Sequence, residues 1–127
     1  MDMEYSLTRI FHIRYIELMK QHSTLSALAD PNRFQIIELL RTGPLTVGEI
    51  AERLGLQQPQ VSKHLRVLSE AGLVEARPVA NRRYYKLCPQ PFQELNAWLD
   101  TFKSVWDDRL DRLDDYLQEL QGKEKKQ

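Results

Sequence analysis

Leu45-Thr-Val-Gly-Glu-Ile-Ala-Glu-Arg-Leu-Gly-Leu56 and, one residue further on, Gln58-Pro-Gln-Val-Ser-Lys-His-Leu-Arg-Val-Leu68 decide how this chain folds. Thr46 and Glu49 stand three apart, as a capping box requires: the threonine accepts from an otherwise orphaned amide while the glutamate reaches back. A short helix therefore begins after Thr46, runs through Leu54 and stops at Gly55. Pro59 suits the opening turn of a second helix, where its missing N–H costs nothing. Val61, Leu65 and Leu68 recur on one face of that helix, and Gly72 ends it. The spacing is that of a helix-turn-helix.

Working outward, Asp30-Pro31 reads as an N-cap and first helical residue. Phe34, Ile37 and Leu40 follow at helical spacing up to Thr42-Gly43-Pro44. Beyond Gly72 the period changes to two. Leu73 to Val79 and Arg83 to Cys88 read as the strands of a hairpin, with Ala80-Asn81-Arg82 between them. Asn81 is the residue expected to take a left-handed backbone there. Pro78, which cannot donate to a ladder, belongs near a strand end or on an edge strand.

From Pro91 to about Leu120 helical periodicity returns. Phe92, Leu95, Leu99, Phe102, Trp106, Leu110, Leu113, Leu117 and Leu120 step by 3, 4, 3, 4, 4, 3, 4 and 3. That is a coiled-coil-like seam with one extra-long step. Roughly 30 helical residues span about 45 Å, whereas a core over residues 30–88 is only roughly 25–30 Å across. Burying such a seam in a second copy of the chain is the economical solution, at ~1.5–3 kcal/mol for each large side chain removed from water. Residues 1–29 are more ambiguous. Leu7, Phe11, Tyr15 and Leu18 suit a helix, Ile10, Ile13 and Ile16 spread around it, and the alternation of Phe11, Ile13 and Tyr15 also permits a strand. A helix from about Tyr5 to Leu28, associated with the dimer, is expected; Met19 is an alternative start. The expected organisation is thus 1–29 helical, 30–88 a core, 89–121 a long dimerisation helix and 122–127 a disordered basic tail.

Composition limits the function. With 127 residues and 42% hydrophobic content, the chain can bury one modest core. One cysteine excludes a disulfide framework within the chain and any zinc site of several thiolates. No apolar run is long enough to cross a bilayer and no secretory signal is visible, so a cytoplasmic protein is expected. There is no glycine-rich phosphate loop, nucleophile elbow or paired Cys/His arrangement, so an enzyme is not expected.

Lys plus Arg and Asp plus Glu both number 18, yet the charge is unevenly distributed. Residues 57–86 hold six cations against two carboxylates, and residues 94–121 hold three cations against eight. Cations on two successive elements, helix and hairpin, are the arrangement that neutralising phosphates requires. On the helical wheel Gln60, Ser62, Lys63 and Arg66 point away from Val61, Leu65 and Leu68, and Gln57 and Gln58 lie at the helix N-terminus. Gln pairs bidentately with adenine and Lys or Arg with guanine. The candidate DNA-binding residues are therefore Gln57, Gln58, Gln60, Ser62, Lys63 and Arg66, with Arg82 and Arg83 of the hairpin reaching a flanking backbone or minor groove. The plain alternative is that these polar residues are only the wet side of a surface helix. Tyr85 and Leu87 share a face expected to pack on the core, with Tyr84 and Lys86 opposite.

Ala27-Leu-Ala-Asp-Pro-Asn-Arg-Phe-Gln-Ile-Ile-Glu-Leu-Leu40, the two stretches quoted first, Glu70-Ala-Gly-Leu-Val74 and Arg83-Tyr-Tyr-Lys-Leu87 together resemble the bacterial ArsR/SmtB winged helix-turn-helix repressors over about residues 24–120. The resemblance implies a mainly α fold, in the order α-α-(β)-α-α-β-β-α, with a short strand near Leu45 pairing with the hairpin wing. It also implies a homodimer paired through its terminal helices, binding a (pseudo)palindromic double-stranded DNA operator and repressing transcription. Phe92, Leu95, Leu99, Phe102, Trp106 and Leu110 would then form much of the dimer interface.

In metal-sensing members of that family, two cysteines separated by one residue stand where this chain has Thr46 and Gly48, neither of which replaces a thiolate. A second family metal site on the last helix needs His beside carboxylates, and residues 90–127 contain none. His12, His22 and His64 do not cluster. No metal or other cofactor is expected. Trp98, Trp106 and Arg109-Leu-Asp-Arg-Leu-Asp-Asp-Tyr116 resemble a cysteine-poor, SdpR-like branch that lacks the metal boxes. Cys88 reads as a structural thiol. Two alternatives stay open: a repressor of the same fold gated by an inducer (a protein, a small molecule or an oxidant), and a winged-helix module that binds protein instead of DNA.

Overall fold

A computed structural model describes the backbone of residues 2–125 and the side chains of residues 6–123. The elements are α1 (Asp2–Leu28), α2 (Pro31–Leu40), β1 (Leu45–Thr46), α3 (Val47–Leu54), α4 (Gln58–Glu70), β2 (Val74–Val79), β3 (Arg82–Leu87) and α5 (Pro89–Lys125). This is the expected order, with the short first strand in place. The chain divides into two compact units, Met1–Glu94 and Leu95–Gln127.

The caps that punctuate the sequence set the helix boundaries of the first unit. Asp30 accepts from the amides of Asn32 at 2.9 Å and Arg33 at 3.1 Å, with Pro31 in the first turn of α2. The Arg33 amide, opposed by desolvation and joined by the Asn32 amide, His64 and the Arg33 charge, holds the Asp30 carboxyl below its ordinary value. The fold therefore favours the ionised form. Its contribution to stability is present above the unfolded-state value and is lost as pH falls through the lower folded-state one. Asp30→Ser keeps an oxygen cap without the charge. Denaturant melts should show the stability difference between wild type and Asp30→Ser shrinking between pH 6 and pH 3; a pH-independent difference would argue against this role.

The Glu49 amide donates to Thr46 Oγ1 at 3.2 Å, as the capping box requires. The return bond differs: the Thr46 hydroxyl donates to Glu49 Oε1 at 3.1 Å. Gly55 ends α3 at φ 67°, its amide donating to Ala51 O, and Leu56 adds a second bond to the same carbonyl. That left-handed residue makes the tight turn into α4 possible.

The core is shared among the elements of this unit. Ile36, Ile37 and Leu40 come from α2, Ile50 and Ala51 from α3, and Val61, Leu65 and Leu68 from α4, closed by Leu45, Leu73 and Val74. Among the described residues of α1, the buried ones are Gln21, Thr24 and Ala27 in its last two turns. The large apolar residues of α1 that drew attention in the sequence, among them Ile10, Phe11 and Tyr15, are exposed. Arg33 ties the end of α1 to α2, its Nε donating to Ala27 O at 2.7 Å.

The sheet is antiparallel in the order β1-β3-β2. Leu45 pairs with Tyr85 and Thr46 with Tyr84, and Tyr85 and Leu87 pack against the core. β2 is an edge strand that carries Pro78 next to its end, where a missing N–H is tolerated. The hairpin loop corrects one expectation: Ala80, not Asn81, has positive φ, at 57°. Val79 pairs with Arg82, so the loop has two residues and Ala80 is the first. Positive φ at that position alone is what type II′ turns need, and glycine is favoured there. Ala80→Gly should raise stability by about 0.5–1 kcal/mol in urea melts; destabilisation would mean the turn is read wrongly.

α5 continues helically to Lys125, past the expected end at residue 121, with Gly122 carried inside its last turns although glycine has low helix propensity. The tail expected to be disordered from residue 122 is thus helical through 125, and residues 126 and 127 lie outside the described residues. At 37 residues, α5 is about 55 Å long.

Candidate nucleic-acid interface

α4 separates its two faces cleanly. Val61, Leu65 and Leu68 are fully buried, whereas Gln57, Gln58, Gln60, Ser62, Lys63 and Arg66 are all exposed. Packing on α2, α3 and the sheet therefore fixes the helix rigidly while its polar face stays available. At the N-terminus, Gln60 Oε1 accepts from the Gln57 amide at 3.3 Å. Gln58 Nε2 lies 3.5 Å from where a Cβ at Gly48 would sit, so the amide rests on the start of α3. Such long, exposed contacts preorient the glutamines without committing them.

The wing supplies the second cationic element. Arg82 and Arg83 are exposed, and with Thr46, Val47 and Gly48 they line an open hollow of about 280 Å³ between the loop end of β3 and the start of α3. The expected pairing of a strand near Leu45 with the wing brings these two segments together, although the hollow between them was not foreseen. The signal lay in the pairing of Thr46 with Tyr84, which carries Arg82 and Arg83 past the end of β1.

The other cations are partly neutralised. Arg66 Nε is 3.2 Å from Glu70 Oε1. Glu75 takes both Lys86 Nζ at 3.0 Å and Arg77 Nε at 3.3 Å, and the Lys86 hydrogen bond is the chief reason its carboxyl is held below the ordinary value. Among the described residues, no ion pair engages Lys63, Arg82 or Arg83. Within residues 57–86, the cations that no carboxylate engages among the described residues are thus Lys63 on α4 and Arg82 and Arg83 at the wing tip. His64, on the flank of α4, faces Asp30 with Nδ1 3.9 Å from Oδ1, so the start of α2 sits beside the recognition face.

Cys88 follows β3, half-buried, its amide donating to Leu73 O at 2.9 Å. Burial pushes its thiol up and the Glu75 charge adds to this, against Lys86. A thiol so placed is a poor nucleophile at neutral pH. Among the described residues, no group of three His, Cys, Asp or Glu is placed to hold a metal, and no helix is long and apolar enough to cross a membrane.

Of the residues expected at the dimer interface, Phe92 is half-buried and packs against the core of its own chain. Leu95 is half-buried, and Leu99, Phe102, Trp106 and Leu110 are exposed. Trp98 and Phe102 stack edge to face with ring centres 5.0 Å apart.

A buried-backed helix with an exposed polar face, a preceding helix across a glycine turn and a three-stranded wing define a winged helix-turn-helix. Residues 30–76 match the bacterial regulatory protein family arsR. The chain is 49% identical over 76 residues to the HTH-type transcriptional regulator Rv2034 of Mycobacterium tuberculosis, covering 60% of this chain and 71% of that one. It is 30% identical over 89 residues to the transcriptional repressor SdpR of Bacillus subtilis, covering 70% and 99%. It also superposes with a TM-score of 0.58, at 30% identity, on a homodimeric winged helix-turn-helix DNA-binding domain of Mycobacterium bovis, covering 76% of this chain and 87% of that one. The chain belongs to the ArsR family of DNA-binding transcriptional regulators, and is not an enzyme.

Proposed function

We propose that this regulator is a cytoplasmic homodimeric repressor that binds a (pseudo)palindromic operator without a metal cofactor. The observation that carries the reading is the coincidence of the exposed polar face of α4 with Lys63, Arg82 and Arg83, cations that no ion pair engages among the described residues. In this reading Gln57, Gln58 and Gln60 reach base edges, and Ser62, Lys63 and Arg66 reach bases and adjoining phosphates. Arg82 and Arg83 hold the flanking backbone or minor groove. Arg66 exchanges its exposed partner Glu70 for a phosphate, an exchange of low cost because such pairs contribute little in water.

Pairing of two chains is supported by the apolar residues left exposed on α1 and α5, including Phe11, Phe102, Trp106 and Leu110. A twofold dimer places two recognition helices about one duplex turn (~34 Å) apart. Absence of a metal cofactor is supported by the chemistry at Thr46 and Gly48, where the family resemblance puts thiolates. The Thr46 hydroxyl is bound to Glu49, and Arg82 and Arg83 are among the residues lining the adjoining hollow, where their charge disfavours a cation.

The test is a gel-shift titration of purified protein on the DNA upstream of its own gene, with divalent metals and an oxidant added in separate arms. Retardation that metals and oxidant leave unchanged is expected. Release by metal or oxidant would replace the reading with a gated repressor, and no retardation of any upstream fragment would favour a protein-binding module.

A further inference from the structure

Gly48 is the second residue of α3, and its backbone does not call for glycine. Among the glycines, positive φ is confined to Gly43, Gly55 and Gly72. Residue 48 therefore has a conformation open to any L residue, and most of them favour a helix more than glycine does. What sets Gly48 apart is the space beside it. Of the five glycines in the chain, four have nothing within 4 Å of the place a Cβ would take. At Gly48 that place is 3.5 Å from Gln58 Nε2 and 3.9 Å from Thr46 Oγ1. Gly48 also lines the hollow it shares with Arg82 and Arg83.

Gln58 is the first residue of α4 and is exposed. Its neighbours are drawn into the helix start, Gln60 Oε1 accepting from the Gln57 amide at 3.3 Å. Among the described residues no hydrogen bond engages the Gln58 side chain. Its amide thus keeps both the donor and the acceptor that a bidentate contact to adenine uses. Such a contact demands one direction of a long side chain, and ordering that chain costs entropy. Lying on the bare backbone of Gly48 removes part of that freedom before DNA arrives.

We propose that Gly48 is a specificity-determining positioning residue: the side chain it lacks is the space in which Gln58 lies, directed at one A·T base pair of each half-site. The inference rests on the repressor reading and adds to it the residue that sets one base preference. An alanine Cβ at 3.5 Å only touches the amide. Isoleucine carries two carbons on Cβ, fills two of the three staggered directions and crowds Gln58 out.

Binding of the full chain to the DNA upstream of its own gene, with each base pair of one half-site exchanged in turn, tests the inference. Gln58→Ala locates the contact: one A·T pair whose exchange weakens wild-type binding about tenfold should weaken binding of this variant by less than about twofold. Gly48→Ile should bring the penalty at that same pair below about threefold and leave the other pairs within about twofold of wild type. Added to Gln58→Ala, it should cause no further loss at that pair. Gly48→Ala should fall between, at about fivefold. The thermal midpoint of Gly48→Ile should stay within about 3 °C of wild type, because isoleucine is the better helix former. If that variant does not fold, Gly48→Ala decides alone, and a wild-type penalty there overturns the inference. An even loss over all base pairs, or an unchanged penalty at the pair Gln58 reads, overturns it and leaves the repressor standing. The same holds if Gln58→Ala singles out no base pair. Absence of binding to every upstream fragment overturns both.

Discussion

Lys63→Ala combined with Arg82→Ala should weaken operator binding by about a thousandfold at low salt and flatten its salt dependence. Each cation that neutralises a phosphate releases condensed counterions and contributes about −0.9 to the slope of log K against log salt. A dimer lacking both residues loses four such contacts, so the slope should become shallower by about three to four. At about 1 kcal/mol for each charge-assisted contact, four contacts correspond to about three decades of affinity. Lys63 and Arg82 are chosen because neither is engaged by a carboxylate among the described residues, whereas Arg77 and Lys86 share the Glu75 carboxylate. Arg77→Ala therefore serves as a control and should change the slope by less than about one. Fluorescence anisotropy across a salt series reads both quantities. All three side chains are exposed, so thermal melts should remain unchanged. A double variant with the wild-type slope would remove these residues from the interface.

Leu65→Ala should destabilise the fold by about 2–5 kcal/mol, a large part of the roughly 5–15 kcal/mol typical of a domain. Leu65 is completely buried in the centre of α4, between Val61 and Leu68, where truncation loses transfer energy and leaves a cavity that surrounding helices fill only in part. Val67 on the same helix is 38% exposed, so Val67→Ala should cost under about 1 kcal/mol. Urea midpoints at constant m separate the two. Equal, small costs would contradict the burial pattern on which the orientation of the recognition face depends, because the same helix rotation buries Leu65 and presents Lys63.

Much of the fold was legible because its boundaries are local. Asp30, Thr46 and Gly55 act on amides and carbonyls within four residues of themselves, so their roles can be read without knowing the tertiary structure. The inward face of α4 was legible for a similar reason, since Val61, Leu65 and Leu68 obey the helical period. Ala80 was missed because propensity favours Asn81 at positive φ, while the register set by Val79 and Arg82 makes residue 80 the first loop position. Tertiary pairing outweighed local preference.

The same holds for the site. Its exposed residues could be read from the wheel of α4, but the charge that remains free could not. Glu75 reaches Lys86 as well as Arg77 because it stands opposite Lys86 across the hairpin, and the approach of Arg82 and Arg83 to Gly48 needs the pairing of β1 with β3. Phe92 belongs to the regular seam of α5 by spacing, yet it packs on its own core. In α1 the largest apolar residues misled for the opposite reason: the turns that pack use Gln21, Thr24 and Ala27, which carry little hydrophobic signal.

Hydroxyl-radical footprinting of the operator at saturating protein, with the number of chains per duplex measured on the same complex, tests the central claim most directly. Two chains on one duplex are expected, with two protected patches related by a dyad and centred about one helical turn, roughly 10 base pairs, apart. A single chain protecting a single patch, or two chains whose patches share no dyad, would contradict it.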